Sequence, residues 1–357
     1  MPEFKVVLIE HGYATTEYER KIIARAGGEF IDAEQLGLAG ALKQAEEADG
    51  VLCRRLEINS SLIQRLHRCK IIVRYGVGTD NVDLTAATAA RIIVGHVPGY
   101  CRDEVAEHTM GLLLACARRI VSTHIKMERG EWEVHRAEPI YRIAGKTLGI
   151  VGFGNVGRAL AEKLMGWSLN LLGFDPFIES VVMERAGVNP VTLAELLSQS
   201  DFVTLHCPLL PETRHLINDR TLSQMKPGAI LINAARGQVV DTAALCRFLD
   251  AGHLAAAGLD VFEIEPLPKD SPLRTHPAIV LTDHTAWYSE ESQMQLQKTA
   301  AEEVVRVCTG GLPHSIANPE VLHHLGRWNE WQPPEHVQWQ LKRLKLATQG
   351  PHPTGDV

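Results

Sequence analysis

The chain alternates short apolar runs with amphipathic stretches, in two successive series. Strands separated by helices of this length favour parallel pairing, because a parallel connection needs a crossover of about a dozen residues. The first series therefore predicts an α/β unit. It has strands at Lys5–Ile9, Gly50–Cys53, Ile71–Arg74 and Ile92–Val94, and helices at Glu17–Ala26, Leu38–Ala48, Ser61–His67 and Leu84–Ala90.

A break at Val97-Pro98-Gly99 ends the first series, and the apolar-periodic stretch Asp103–Ile125 that follows predicts a connecting helix. Six strands with intervening helices then predict a doubly wound parallel sheet. A helix over Ser289–Thr309 leads back to the first unit, which makes that unit discontinuous in sequence. The six strands are Thr147–Val151, Asn170–Phe174, Phe202–His206, Ala229–Ile232, Ala257–Val261 and Ile279–Thr282.

These patterns divide the 357 residues into three parts. Residues 1–102 and 289–326 form one domain and residues 103–288 the other, whereas 327–357 is a tail of irregular composition. The tail is predicted to be partly disordered, with 349–357 as the disordered end.

Composition narrows the class of protein. Hydrophobic residues at 45% and charged residues at 22% are typical of a globular chain. A net charge of −7 argues against nucleic acid as a partner, and the basic cluster Lys342, Arg343 and Lys345 is interpreted as a solvated helix face. No apolar run is long enough for a membrane helix. Seven cysteines without a CxxC pair favour reduced thiols in the cytoplasm and no metal site.

The most informative motif is a glycine-rich turn between a strand and a helix. Gly152, Gly154 and Gly157 follow the apolar run Thr147–Val151 and open a stretch with helical periodicity. That context is typical of a dinucleotide-binding turn, where a helix N-terminus receives the pyrophosphate. Asp175 ends the next strand, where its carboxylate can accept the ribose hydroxyls and repel a 2′-phosphate, so the predicted cofactor is NAD. The alternative is a glycine turn that only packs a helix on a sheet.

Three ionisable residues follow three later strands of the same series. Arg236, Glu265 and His284 should meet at one edge, because the carboxyl ends of parallel strands lie together. Reduction of a ketone by hydride needs a proton donor that titrates near neutral pH, a fixed cation for the substrate and a carboxylate to hold the donor charged. The predicted roles are His284 as acid and base, Arg236 as the cation and Glu265 as the carboxylate. Each residue also has a structural alternative at a strand end or turn.

Several motifs together resemble the NAD-dependent D-isomer-specific 2-hydroxyacid dehydrogenases over about residues 1–320, and most closely their C-terminal-binding-protein branch. The resemblance implies a Rossmann NAD-binding domain inserted into a flavodoxin-like substrate domain, and a homodimer formed through the cofactor domains. It assigns catalysis to Arg236, Glu265 and His284, and the substrate carboxylate to the Val77-Gly78 backbone. It implies cofactor contacts at Thr109, Asn155, Val156, Cys207, Pro208, Ala234 and Asp260. The motifs are Arg74–Val82, His96–Gly99, Val105–Thr109, Gly152–Gly157, His206-Cys207-Pro208, Asn233–Asp241, Gly258–Pro266 and Asp283–Glu290.

Two positions leave the substrate open. Arg54 resembles the anion-binding arginine of phosphoglycerate dehydrogenases and so admits a second anionic group, but it is equally read as a solvated strand-end cation. Trp287 either walls the substrate pocket or packs under the connecting helix. The expected function is reversible hydride transfer between NADH and a small 2-keto acid. The alternatives are a phosphoglycerate dehydrogenase and an NAD-gated corepressor that binds peptides.

Overall fold

The computed structural model of the chain describes residues 2–132 and 139–332. The described residues form two units, the first made of residues 2–100 and 289–332 and the second of 101–132 and 139–288. The basic cluster Lys342, Arg343 and Lys345 and the end expected to be disordered lie outside the described residues. No helix in the described ranges is long and apolar enough to cross a bilayer.

The first unit contains a parallel sheet of five strands within the described residues, in the order β2-β1-β3-β4-β5. This is the flavodoxin-like order, so the expectation for this unit is confirmed. The strands β3 and β5 are buried at every position, and β1 and β4 at three of four, because each is an apolar run covered on both faces. The strands are β1 (Lys5–Leu8), β2 (Glu29–Asp32), β3 (Gly50–Cys53), β4 (Ile71–Arg74) and β5 (Ile93–His96).

The helices of this region begin at short polar caps. The side chains of Asn59 and Asp83 accept the backbone N–H of Leu62 (3.1 Å) and Ala86 (2.9 Å), which satisfies donors at two helix starts. The helices are α1 (Glu17–Arg25), α2 (Gly37–Ala45), α3 (Ser60–Ile63) and α4 (Leu84–Ala89).

The second unit contains a parallel sheet of seven strands within the described residues, in the order β12-β11-β10-β9-β6-β7-β8. The strands β7 and β8 lie on one side of β6, and β9 to β12 follow one another outward on its other side, which is the Rossmann arrangement. Its strands are β6 (Thr147–Val151), β7 (Asn170–Phe174), β8 (Asn189–Pro190), β9 (Phe202–Leu205), β10 (Ala229–Asn233), β11 (Leu254–Leu259) and β12 (Ile279–Leu281). Its helices are α5 (Arg102–Ala117), α6 (Ile120–Glu128), α7 (Asn155–Lys163), α8 (Ser180–Arg185), α9 (Leu193–Gln199), α10 (Asp219–Gln224) and α11 (Thr242–Asp250).

After the second unit the chain returns to the first through α12 (Glu290–Cys308), which is followed by α13 (Val321–His324) and a 3₁₀ helix at Trp328–Glu330. Leu296, Ala300 and Val304 are buried on one face of α12, which packs against β3, β4 and β5. The predicted return helix is therefore confirmed.

The structure differs from the sequence prediction in three elements. The connecting helix predicted over 103–125 is two helices, because Arg119 adopts a left-handed backbone (φ 52°) between α5 and α6 while the apolar spacing runs on. The strands β2 and β8 were not predicted. Both are edge strands with exposed or half-buried residues, so they lack the continuous apolar run of the inner strands.

Candidate active site

The glycine-rich turn joins β6 to α7, and each glycine has a distinct geometric reason. Gly152 has φ +92°, and a Cβ there would lie 2.6 Å from the backbone nitrogen of Cys207. A Cβ on Gly157 would collide with the carbonyl oxygen of Gly152, so this glycine permits close packing of helix on strand. A Cβ on Gly154 would meet no described atom within 4 Å. The turn therefore leaves open the approach to the α7 N-terminus at Asn155 and Val156, as a pyrophosphate requires.

Asp175 lies next to this turn at the end of β7. Its two carboxylate oxygens accept the backbone N–H of Phe153 and of Phe177, each at 2.9 Å. Each oxygen keeps a further lone pair, so the half-buried carboxylate can still accept ribose hydroxyls. Arg158, which the sequence pattern did not single out, donates from Nε to the Phe153 carbonyl at 3.3 Å and adds a positive charge beside the turn. The residues of the turn fit a dinucleotide.

Arg236 follows β10 in a loop shaped by the buried side chain of Asn233. The Asn233 amide accepts the Ala235 N–H (3.0 Å) and donates to the Arg236 carbonyl (2.9 Å). The guanidinium of Arg236 donates to the Ala235 carbonyl at 2.7 Å. Ala234, between strand and loop, is half-buried.

His284 and Glu265 form a direct pair at the ends of β12 and β11. The imidazole Nδ1 lies 2.6 Å from one carboxylate oxygen of Glu265, and the other accepts the Phe262 N–H at 3.0 Å. Burial raises the pKa of Glu265. The hydrogen bond and charge of His284, with a smaller contribution from the charge of Arg236, lower the pKa by more than burial raises it, so the net pKa lies below its ordinary value. The structure thus brings together the three residues predicted for catalysis.

Asp260 is 1% exposed and is bonded within its own unit. It accepts the hydroxyl of Thr282 (2.6 Å) and the backbone N–H of Thr285 (2.9 Å) and Ala286 (3.0 Å). The carboxylate therefore organises the loop that carries His284. The nicotinamide contact implied for Asp260 stays a prediction.

The other residues implied for cofactor binding are scattered over the second unit. Thr109 is fully buried in α5, where its hydroxyl donates to the Val105 carbonyl at 2.8 Å. Cys207 is buried after β9, and Pro208 beside it is exposed. Trp287, predicted either to wall the substrate pocket or to pack under the connecting helix, is half-buried, with its ring edge-on to Tyr288 at 5.4 Å between centroids. Both interpretations of Trp287 stay predictions.

The residues predicted to bind substrate in the first unit follow β3 and β4. The guanidinium of Arg54 donates to the His11 carbonyl (2.8 Å) and lies 5.0 Å from the ring centroid of Tyr13. Val77 is 46% exposed, and its carbonyl lies 2.7 Å from Nδ1 of His96. Gly78 is half-buried. Within the described residues, no cluster of three or more His, Cys, Asp or Glu side chains could hold a metal ion.

Residues 110–286 match the family model described as "D-isomer specific 2-hydroxyacid dehydrogenase, NAD binding domain". The glyoxylate reductase of Korarchaeum cryptofilum is 38% identical over 268 residues, which are 74% of this chain and 81% of the relative. This chain belongs to the D-isomer-specific 2-hydroxyacid dehydrogenase family. The expected family, its oxidoreductase class, the fold class and NAD as cofactor are thereby confirmed, whereas the C-terminal-binding-protein branch stays a prediction.

A further relative and a solved structure are similar to most of this chain. The D-3-phosphoglycerate dehydrogenase of Methanocaldococcus jannaschii is 39% identical over 293 residues, which are 82% of this chain but only 56% of the relative. This chain therefore spans about half the length of that enzyme. A solved structure from Thermus thermophilus has a TM-score of 0.77 and 33% identity, covering 88% of this chain and 99% of the other.

The sequence pattern of this chain did not predict two sets of contacts in the second unit. His215 lies 2.7 Å from Glu263, two residues before Glu265, and forms a second histidine–glutamate pair. His108 lies 2.8 Å from Thr282, which in turn bonds Asp260. The partners are 48 and 174 positions apart in the chain, so no local spacing relates them.

Proposed function

We propose that this chain is an NADH-dependent D-2-hydroxyacid dehydrogenase that interconverts a small 2-keto acid and its D-2-hydroxy acid, with His284 as general acid and base. The observation that carries the proposal is the 2.6 Å contact between His284 and Glu265 beside the charge of Arg236. A histidine held by a carboxylate, next to a fixed cation, supplies the groups that reduction of a ketone needs.

Each of the three side chains has a distinct task in this proposal. The lowered pKa of Glu265 keeps the carboxylate ionised at neutral pH, which stabilises the protonated imidazole. Because Nδ1 faces Glu265, Nε2 of His284 donates the proton to the substrate's keto oxygen. Arg236 stays protonated and binds the substrate carboxylate and keto oxygen. When bound, NADH supplies the hydride. In the reverse direction, neutral His284 accepts the hydroxyl proton.

The preference for NADH over NADPH is assigned to Asp175. Its carboxylate lies at the turn where the ribose is expected and would repel a 2′-phosphate. Replacing it in the Asp175→Ala variant is expected to raise the ratio of kcat/KM with NADPH to that with NADH. An unchanged ratio would contradict the assignment.

The substrate is proposed to be a small 2-keto acid such as glyoxylate, since relatives of similar length carry the name glyoxylate reductase. A second candidate is a 2-keto acid with a distal anionic group. It is favoured by Arg54, which lies over Tyr13, a buried residue whose hydroxyl has no hydrogen-bond partner in the described part of the chain. An unpartnered buried hydroxyl beside a guanidinium suits an anionic group that can accept from both.

The test is an NADH-consumption assay over 2-keto acids with and without a distal phosphate or carboxylate. The proposal predicts turnover of at least one member, loss of turnover in His284→Ala and unchanged NADH affinity in that variant. Turnover by the distal-anion members that falls selectively in Arg54→Ala would favour the second candidate. Ordinary turnover by His284→Ala would overturn the role given to the histidine.

A homodimer formed through the second unit is supported by an apolar face on α6. Ile120 (54%) and Met127 (48%), seven positions apart, are exposed on one face, and Trp132 beyond the helix is 81% exposed. The same face lines an open surface groove of about 460 Å³, formed by Arg118, Ile120, Thr123, His124 and Met127. Exposed patches of this kind mark association surfaces.

The dimer proposal has a matched control, because Leu36 in the first unit is exposed to the same extent as Ile120. Sedimentation should show that Ile120→Glu converts a dimer to a monomer, whereas Leu36→Glu leaves the dimer intact. A monomeric wild-type protein, or a dimer that survives Ile120→Glu, would exclude this surface.

A further inference from the structure

We infer that His108 is a positioning residue, which acts through Thr282 and Asp260 to fix the turn that carries His284. The inference rests on the proposed role of His284. All four residues belong to the second unit. His108 lies on α5, Asp260 follows β11, and Thr282 and His284 follow β12.

A chain of two hydrogen bonds starts at α5. Nε2 of His108 lies 2.8 Å from the hydroxyl oxygen of Thr282, and that hydroxyl donates to Asp260 at 2.6 Å. A hydroxyl carries a single proton, and Thr282 gives it to the carboxylate. Its oxygen must therefore accept from His108, which fixes the proton of the imidazole on Nε2. The same nitrogen lies 3.5 Å from the Asp260 carboxylate.

Three further hydrogen bonds connect Asp260 to the turn at His284. The Asp260 carboxylate accepts the N–H of Thr285 and of Ala286, and its carbonyl accepts the N–H of His284 at 2.8 Å. His284 has a left-handed backbone with φ 58°. That conformation is unfavourable for a residue with a side chain, so contacts with the surrounding structure must maintain it. Asp260 supplies them on both sides of the histidine.

The helix α5 supports this chain of hydrogen bonds. This helix packs against β10, β11 and β12, so a donor on it is fixed with respect to the sheet. The His108 side chain is 23% exposed, and its bond to Thr282 ties the loop after β12 to that helix. Without this bond, Thr282 can rotate its hydroxyl away from Asp260, which loosens the turn that orients His284.

A double-mutant cycle between His108 and Thr282 tests the coupling in the active enzyme. His108→Phe and Thr282→Val should each lower kcat about fivefold, as expected for one lost hydrogen bond, with KM for the keto acid and NADH affinity within about twofold. The double variant should lose no more than either single variant, because the two residues act in one chain. His108→Gln, which retains a donor near the position of Nε2, should restore most of the loss. Additive losses, or an unchanged kcat in His108→Phe, would overturn the inference.

Hydrogen exchange tests the same inference without turnover. The amides of Thr285 and Ala286 should exchange about fivefold faster in His108→Phe and in Thr282→Val, while those of β9 stay unchanged. His253→Phe is the matched control, since it removes a histidine bonded to the Met225 carbonyl at 3.0 Å, away from this loop. Equal exchange at Thr285 and Ala286 in wild type and His108→Phe would refute the positioning role, even if no 2-keto acid is reduced. Absence of turnover in the wild type, with faster exchange in the variants, would instead refute only the proposed function.

Discussion

The segment after β11 carries two glutamates, each of which pairs with a histidine at nearly the same distance. Glu265 meets His284 at 2.6 Å, and Glu263 meets His215 at 2.7 Å. Burial raises the pKa of each carboxyl, and in each case hydrogen bonds and charges more than offset it, so both carboxylates are ionised near neutral pH. A histidine held by an acid is therefore not enough to identify a catalytic group.

The surroundings of the two pairs differ. The second oxygen of Glu263 accepts the N–H of Thr242 at 3.0 Å in the first turn of α11, and its carbonyl accepts the Gln238 side chain at 3.1 Å. This pair therefore braces the Arg236 loop against the segment that carries Glu265. The second oxygen of Glu265, by contrast, accepts the N–H of the nearby Phe262 at 3.0 Å, and the charge of Arg236 contributes to its lowered pKa. The cation beside the pair, rather than the pair itself, marks the candidate for catalysis.

Removing the two histidines should separate the pairs most clearly. His284→Ala is expected to lower kcat by about 10²- to 10⁴-fold, the range for loss of a general acid, while His215→Ala lowers it by no more than a few-fold. Steady-state assays at a saturating NADH concentration measure both effects, and cofactor fluorescence checks that NADH still binds. Comparable losses in the two variants would show that the second pair also takes part in the reaction.

Replacing each glutamate by glutamine should separate an effect on activity from an effect on stability. Glu265→Gln is expected to lower kcat about 10²-fold, because the imidazole loses the charge that favours its protonated form. Glu263→Gln should leave kcat within a few-fold but lower the free energy of unfolding by about 1.5–3 kcal/mol, as charged hydrogen bonds to Thr242 and His215 weaken. Urea titration at pH 7 measures the latter.

The stability difference in Glu263→Gln should also depend on pH in a defined direction. The folded pKa of Glu263 lies below the ordinary 4.5, so its contribution is present above pH 4.5 and disappears as pH falls through the lowered value. The gap between wild type and variant should therefore close in acid. A gap that persists at low pH would mean that packing, rather than charge, accounts for the loss.

His206 extends the comparison to a histidine that bonds a hydroxyl instead of a carboxylate. Its Nε2 lies 2.8 Å from Thr204, and burial lowers its pKa from 6.5 to about 4. The unfolded chain then binds more protons than the folded protein between pH 6.5 and 4, so the free energy of unfolding falls as pH falls through that window. Between pH 7 and pH 5, the free energy of unfolding of His206→Asn should therefore decrease by about 2 kcal/mol less than that of the wild type. Equal slopes in variant and wild type would contradict the lowered pKa.

The inner part of both sheets could be predicted from sequence, because buried parallel strands such as β4 and β10 are continuous apolar runs. The strand β2 could not, since a half-exposed edge strand has no such run. The same contrast holds in the site. Arg236, Glu265 and His284 were found because strand ends in one sheet converge, but the partners His108 and His215 depend on side-chain contacts between distant segments. Only packing in three dimensions reveals those contacts.

The return of the chain through α12 has a consequence for how the protein is made. Strands β3 and β4 bury apolar side chains under Leu296, Ala300 and Val304, which leave the ribosome about 200 residues or more after the strands do. The second unit is contiguous and is synthesised in the interval, so it has all its own elements before the first unit does. A nascent chain arrested before residue 289 would expose the apolar surface of the first sheet, where chaperones and proteases recognise incomplete proteins.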